Sequence, residues 1–210
     1  MRVLAVIPAR GGSDRVPYLN IRRLGDAPLL AHTLRAAREA KGIDRVIVST
    51  DDETVADVAR AHGAEVPFLR PSELSRDLSS LMPVVRHAVG EAEKTGERAD
   101  VVLVLQATTP FRTARSIEEA LDRIATGRFT AVVSVTSDLS LRWKAEDGRL
   151  KPLFDRAGRR DEQEPVYLEN GAIVALRREV LDTDARFGDS VGVVALDKRE
   201  GFTVHDLDDF

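Results

Sequence analysis

Arg2-Val3-Leu4-Ala5-Val6-Ile7-Pro8 runs directly into Ala9-Arg10-Gly11-Gly12-Ser13-Asp14-Arg15-Val16-Pro17. The first half is an apolar run of Val, Leu and Ile closed by a proline, the pattern of a strand buried on both faces of a parallel sheet. The second half is a loop with two glycines, a hydroxyl and two arginines. After Leu19-Asn20-Ile21 and Gly25 a helical pattern begins. Strand, glycine loop and helix together let backbone N–H groups approach an anion while arginines neutralise it. The loop therefore reads as a nucleotide phosphate site. It carries neither the G-x-x-x-x-G-K-[ST] of a P-loop nor the G-x-G-x-x-G of a dinucleotide fold.

The chain downstream repeats the same alternation. Pro28 to Gly42 places Leu30, Leu34 and Ala37 on one helical face. Arg45 to Thr50 is a second buried strand, followed by Asp51-Asp52 at the head of a helix with Val55, Val58 and Ala59 inside. Ala64 to Leu69 reads as a third, shorter strand. A polar loop, Arg70 to Ser80, leads to a helix with Leu81, Val84, Val85 and Ala88 on one face. Asp100 to Leu105 is the most apolar strand pattern and is expected at the centre of the sheet. Ile117, Ala120, Leu121 and Ile124 mark the next helix, and Ala131 to Val135 the next strand. This order implies an α/β fold with a mostly parallel sheet and right-handed crossovers.

The rhythm stops near Thr136. Residues 137–168 are polar and charged, longer than an ordinary connection, and hold the only tryptophan, Trp143. Leu150, Leu153 and Phe154 lie among those charges, a poor composition for folding alone and a reasonable one for an interface. Asn170 to Leu176 and Val191 to Leu196 resume strand patterns.

Composition narrows the classes of function. The chain has 210 residues, 43% hydrophobic and 31% charged, with 31 basic and 35 acidic residues and a formal charge of −4. That size suits one domain, and that charge gives no reason to expect nucleic acid or an anionic membrane as partner. With no cysteine, a disulfide framework and a thiolate metal site are both excluded. No apolar run approaches the length of a membrane span, and Met1 leads directly into the first core strand, so the expectation is a cytoplasmic protein.

The string Ala9-Arg10-Gly11-Gly12-Ser13, with Ile7-Pro8 before it and Asn20-Ile21 after it, resembles the opening of the acylneuraminate cytidylyltransferases, the CMP-sialic acid (CMP-N-acetylneuraminate) synthetase family. Further stretches resemble that family in order: Ile43 to Asp52, Gly63-Ala64-Glu65-Val66-Pro67-Phe68-Leu69-Arg70-Pro71, Leu105-Gln106-Ala107-Thr108-Thr109-Pro110-Phe111-Arg112-Thr113, Asn170-Gly171-Ala172-Ile173 and Asp206-Leu207-Asp208. The resemblance implies a GT-A-like nucleotidyltransferase that moves CMP from CTP to the anomeric hydroxyl of an acidic nine-carbon keto-sugar. By the same resemblance Arg10, Gly11, Gly12, Ser13 and Asn20 would hold the triphosphate, Arg70 the nucleotide, and Ser79 or Ser80 the base. Gln106 and Asn170 would face the sugar. Asp206 and Asp208, expected on one side of a terminal strand, would bind Mg²⁺. Residues 137–168 would form the dimerisation arm of a homodimer and bring Arg159 or Arg160 near the sugar carboxylate.

Four positions depart from the family pattern. Asp14 and Leu19 stand where lysines are usual, Val174 follows Asn170-Gly171-Ala172-Ile173 where tyrosine is usual, and Leu168 stands where some members carry arginine. The chain also stops just after the aspartate motif. These departures leave open two alternatives: a sugar nucleotidyltransferase with another nucleotide or acceptor, and a nucleotide-binding homologue that no longer catalyses.

Overall fold

The computed structural model describes residues 1–12, 16–75, 81–138, 140, 142–153 and 166–210. Chain order begins with β1 (Val3–Pro8), the short pair β2 (Arg23–Leu24) and β3 (Ala27–Pro28), α1 (Leu29–Glu39), β4 (Arg45–Ser49) and α2 (Glu53–Ala61). It continues through α3 (Leu81–Lys94), β5 (Val101–Val104), α4 (Ala114–Ala125) and β6 (Ala131–Asp138). The hairpin strands β7 (Trp143–Glu146) and β8 (Arg149–Pro152), then β9 (Val166–Arg177) and β10 (Val191–Leu196), complete the strands.

Six strands form one sheet in the order β10-β6-β9-β5-β1-β4. β1 pairs parallel with β4 and β5, and β10 pairs parallel with β6, while β9 runs antiparallel to both β5 and β6. β5 lies in the interior of the sheet, as its unbroken apolar run predicts. The chain goes from β1 through α1 to β4 on one side, and later returns to β5 on the other. That makes β1 the point where the strand order reverses, and in open α/β sheets ligands bind beyond the carboxyl ends of the strands at such a point.

Alternation along β1 explains why the sheet is covered on both faces. Val3, Ala5 and Ile7 join a cluster with Leu30, Leu34 and Ala37 of α1, Val55 and Ala59 of α2, and Ile117 and Ile124 of α4. Leu4 and Val6 face the other way, onto Val85, Ala88, Val89 and Ala92 of α3. Two of the helices, α2 and α4, start where the sequence supplies a side-chain cap. The Asp52 carboxylate accepts the Val55 N–H (3.0 Å), and the Thr113 hydroxyl accepts the Ser116 N–H (3.2 Å).

Three expectations are corrected. Residues 64–69 do not form a strand; their backbone bridges to β4 and the residue after it are the isolated pairs Ile47–Glu65 and Thr50–Leu69. Pro67 stands between those two contacts and has no N–H to donate to a ladder. The polar segment is also shorter than 137–168, because Ser137 and Asp138 still pair with Tyr167 and Val166 in the sheet. Its described portion is the hairpin β7–β8, turned by Asp147 (φ 49°) and Gly148 (φ 72°), an Asp-Gly pair of the kind that closes two-residue hairpins. Finally, Asp206 and Asp208 do not lie on a strand. The Asp206 carboxylate accepts the N–H groups of Asp208 and Asp209, each at 3.0 Å, and folds the chain into a turn.

Candidate active site

A cleft of about 270 Å³ opens at the carboxyl ends of β1, β4 and β5. Pro8, Arg10, Asn20, Arg70, Ser75, Gln106 and Thr108 line it, over an apolar wall of Leu74, Leu81 and Val84 from the head of α3. Arg10, Asn20, Arg70 and Gln106, four of the residues singled out in the sequence, are thus gathered into one place from the loop after β1 and two segments far from it in the chain.

The loop after β1 is held from several sides. Asn20 is buried, and its amide nitrogen donates to the Arg10 carbonyl at 2.9 Å. The Gly11 N–H donates to Asp51 Oδ1 at 3.1 Å, while its carbonyl accepts the Tyr18 N–H at 3.1 Å. Gly11 is packed so closely that a Cβ there would lie 2.4 Å from the Asp52 Cβ, whereas among the described residues no atom lies within 4 Å of such an atom at Gly12. Packing requires the first glycine and, among the described residues, leaves the second unconstrained. Ser13, Asp14 and Arg15 lie outside the described residues, as do Ser79, Ser80, Arg159 and Arg160.

Arg70 is placed by its own backbone, whose N–H donates to the Thr50 carbonyl at 2.7 Å, at the end of β4. Its side chain is only 5% exposed, which rules out a solvated loop arginine. Nε donates to the Ser75 hydroxyl at 2.9 Å, and one terminal nitrogen approaches Asp51 Oδ1 at 3.5 Å. Burial lowers the Arg70 pKa from its ordinary value, the charge on Arg10 adds to that, and Asp51 opposes it. Two like charges held close in one cleft favour a polyanion between them.

Asp51 therefore pins the glycine loop and pairs with Arg70 at once. It is a binding-site support that the sequence shows only as one of two aspartates at the head of a helix. Asp52, bound to the first turn of α2, is spent on the helix.

Gln106 follows β5 and lies against Gly171 (φ +70°), which as a glycine puts no Cβ in the way; an added one would sit 2.5 Å from the Gln106 amide nitrogen. Asn170 has its amide bonded within the sheet. Its amide oxygen accepts from the Ser134 hydroxyl (2.6 Å) and the Ala172 N–H (3.1 Å), and its amide nitrogen donates to the Thr136 hydroxyl (3.0 Å). Those bonds fall where the β6–β9 register shifts between Val133 and Val135. Asn170 secures that irregularity, and with it the Gly171 backbone under Gln106.

Leu19 is buried with Val16, Leu29 and Val204, and Phe210 packs against them. Where the family pattern has a lysine, this chain has a hydrophobic contact that ties the loop to its own C-terminal segment. That segment is tied to the cleft as well: the Val204 N–H donates to the Thr108 carbonyl at 2.8 Å. Asp206 and Asp208 follow within two to four residues and are exposed. Among the described residues no group of three or more His, Cys, Asp or Glu could hold a metal ion. Two exposed carboxylates fit Mg²⁺ all the same, because this ion is commonly held by one or two carboxylates with substrate phosphates and waters completing its shell.

Sequence reading also missed Arg112, which lies behind the cleft with 3% exposure. The only signal was its place in Thr109-Pro110-Phe111-Arg112-Thr113, between a core strand and a core helix.

The model of a family described as cytidylyltransferase matches residues 4–191. The chain belongs to the cytidylyltransferase family. It is accordingly a nucleotidyltransferase. It is 36% identical to a CMP-N,N'-diacetyllegionaminic acid synthase of Legionella pneumophila over 90% of this chain and 84% of that protein. It is 32% identical to an N-acylneuraminate cytidylyltransferase of Escherichia coli over 100% of this chain and 50% of that longer one. Among solved structures, a CMP:2-keto-3-deoxy-manno-octonic acid synthetase complexed with CTP superposes with a TM-score of 0.69 at 20% identity, covering 94% of this chain and 90% of that one. A 4-diphosphocytidyl-2C-methyl-D-erythritol synthase superposes with a TM-score of 0.72 at 15% identity, covering 99% and 94%. Those likenesses establish a nucleotidyltransferase-like α/β fold. No described helix is long and apolar enough to cross a membrane.

Proposed function

We propose that this protein transfers CMP from CTP to the anomeric hydroxyl of a sialic-acid-like nonulosonic acid. The hydroxyl oxygen bonds to the α-phosphorus, the bond from that phosphorus to the β-phosphate oxygen breaks, pyrophosphate leaves, and the hydroxyl proton is lost. One observation carries the reading: Arg10, Asn20, Arg70 and Gln106, named in advance from family motifs, line a single cleft at the reversal point of the sheet. Relatives that make CMP-activated legionaminic and sialic acids support the choice of acceptor class.

In this reading Arg10 and Arg70 neutralise the triphosphate, with the Gly12 backbone and Ser13 beside them. The Gly11 N–H is committed to Asp51, so Gly11 shapes the loop rather than contacting phosphate. Ser79 or Ser80 reads the base, and Gln106 orients the sugar. Arg159 or Arg160 meets its carboxylate. Asp206 and Asp208 would hold Mg²⁺, which when bound offsets the charge of the triphosphate. A reaction fed by CTP belongs in the cytoplasm, where nucleoside triphosphates are made.

The segment between β6 and β9 serves in this reading as the dimerisation arm of a homodimer. Trp143, Leu150 and Leu153 are about half or more exposed there. An isolated two-stranded hairpin is marginal in water, which favours its burial against a second copy.

Thermal denaturation with each nucleoside triphosphate tests the nucleotide. A ligand at about a hundred times its Kd adds roughly 2.7 kcal/mol, so CTP should raise the midpoint clearly above ATP, GTP or UTP. Equal shifts from all four would remove the cytidine assignment.

A further inference from the structure

Arg112 is the least expected charge in the molecule. It is 3% exposed, and among the described residues no carboxylate pairs with it and its Nε has no hydrogen-bond partner. One terminal nitrogen donates to the Thr33 hydroxyl of α1 at 2.6 Å, and the other donates to the Gln106 carbonyl. Burial pushes its pKa down to about 9, the sign of a charge held in a place that disfavours it. An apolar side chain of similar length would fill the same space without that cost, so the charge and its two donors are what the position supplies.

What they act on is the turn that floors one side of the cleft. The Gln106 carbonyl also accepts the Thr109 N–H at 3.2 Å, and Thr108 takes the Val204 N–H on the opposite side. The Thr109 hydroxyl reaches the Asn170 carbonyl at 3.4 Å. Arg112 thus grips the four-residue turn Gln106–Thr109, which brings Gln106 to the cleft and anchors the C-terminal acidic segment.

We propose that Arg112 is a positioning residue for the acceptor half of the cleft, holding the Gln106 turn so that the Gln106 amide meets the sugar. This rests on the reading of Gln106 given above. It also explains why a cation is kept there: a positive charge under the acceptor side attracts an acidic sugar through a medium that screens it poorly.

The test compares wild type, Arg112→Met, Arg112→Lys, Gln106→Ala and the double variant Gln106→Ala/Arg112→Met. Pyrophosphate release is followed with CTP and Mg²⁺ on whichever acid wild type uses among N-acetylneuraminic, N,N'-diacetyllegionaminic, pseudaminic and 3-deoxy-manno-octulosonic acids. Arg112→Met should raise the acceptor KM tenfold or more while the CTP KM stays within twofold. Arg112→Lys, which keeps a charge but fewer donors, should fall between, and it carries the comparison if the Met variant does not fold. Added to Gln106→Ala, Arg112→Met should cost little more. An unchanged acceptor KM, an equal rise in both KM values, or fully additive penalties would overturn the proposal. Hydrogen exchange on the ligand-free proteins decides the grip itself without any sugar. The amides of Thr109 and Val204 should exchange at least tenfold faster in Arg112→Met, and unchanged exchange overturns it. Failure of wild type on every acid would instead count against the functional reading.

Discussion

The two adjacent glycines of the first loop make opposite predictions. At Gly11 an added Cβ would sit 2.4 Å from the Asp52 Cβ, 2.7 Å from its Cγ and 2.8 Å from its Oδ2. Ordinary carbon contacts begin near 3.5 Å, and the Asp52 Cβ is tied to backbone, so the loop or the head of α2 must move. Overpacking of this kind costs about 1–3 kcal/mol. Displacing Asp52 also strains the hydrogen bond that caps α2 (3.0 Å to the Val55 N–H), a device that contributes about 1 kcal/mol. Gly11→Ala should therefore destabilise by about 3 kcal/mol, or roughly 6–12 °C for a domain of this size. Gly12→Ala meets no atom of the described residues within 4 Å and should stay within about 0.5 kcal/mol of wild type. Thermal unfolding followed by circular dichroism, with CTP titrations on both variants, measures the contrast. Gly11→Ala should also weaken CTP binding, because the loop it displaces carries Arg10. Equal midpoints for the two variants would refute the packing argument and the account of the loop built on it.

Two further outcomes follow from the cleft and the arm. Asp51→Asn removes the charge opposite the buried Arg70; because Asp51 is 25% exposed and the pair is 3.5 Å apart, the cost should be about 1–2 kcal/mol in urea unfolding, below the range for a fully buried pair, with a raised CTP KM. An unchanged unfolding midpoint would show that the pair does not hold the site. Light scattering should give twice the chain mass at micromolar concentration, and a monomer there would count against the arm and against any role for Arg159 or Arg160 across the interface.

The layers and the location of the cleft were legible because buried strands and amphipathic helices write themselves as apolar runs and stripes. Arg2 to Pro8, Arg45 to Thr50 and Asp100 to Leu105 all became parallel strands, and their carboxyl ends became the site. Strand direction was less legible. β9 pairs antiparallel on both sides, yet Asn170 to Leu176 has the same apolar texture as its parallel neighbours. Local polar competition defeated two other readings. Pro67 interrupts residues 64–69, and the Asp206 side chain captures two backbone N–H groups that a strand would have left for a partner. Asn170 matched a motif by letter, but whether its amide faces a ligand or a bulge depends on Ser134 and Thr136, 36 and 34 residues away. Arg112 gave no signal beyond its place between a core strand and a core helix, since a buried cation without a carboxylate contradicts the rule by which core residues are read.

The most direct test of the account is pyrophosphate release from CTP, ATP, GTP and UTP in Mg²⁺, each offered the acidic keto-sugars, with the Asp206→Asn/Asp208→Asn variant alongside. The account predicts release with CTP and at least one nonulosonic acid, little with the other three triphosphates, and none from the double variant, whose changes lie in an exposed turn and should leave the fold intact. Release that is indifferent to the base, or undiminished in the double variant, would contradict it.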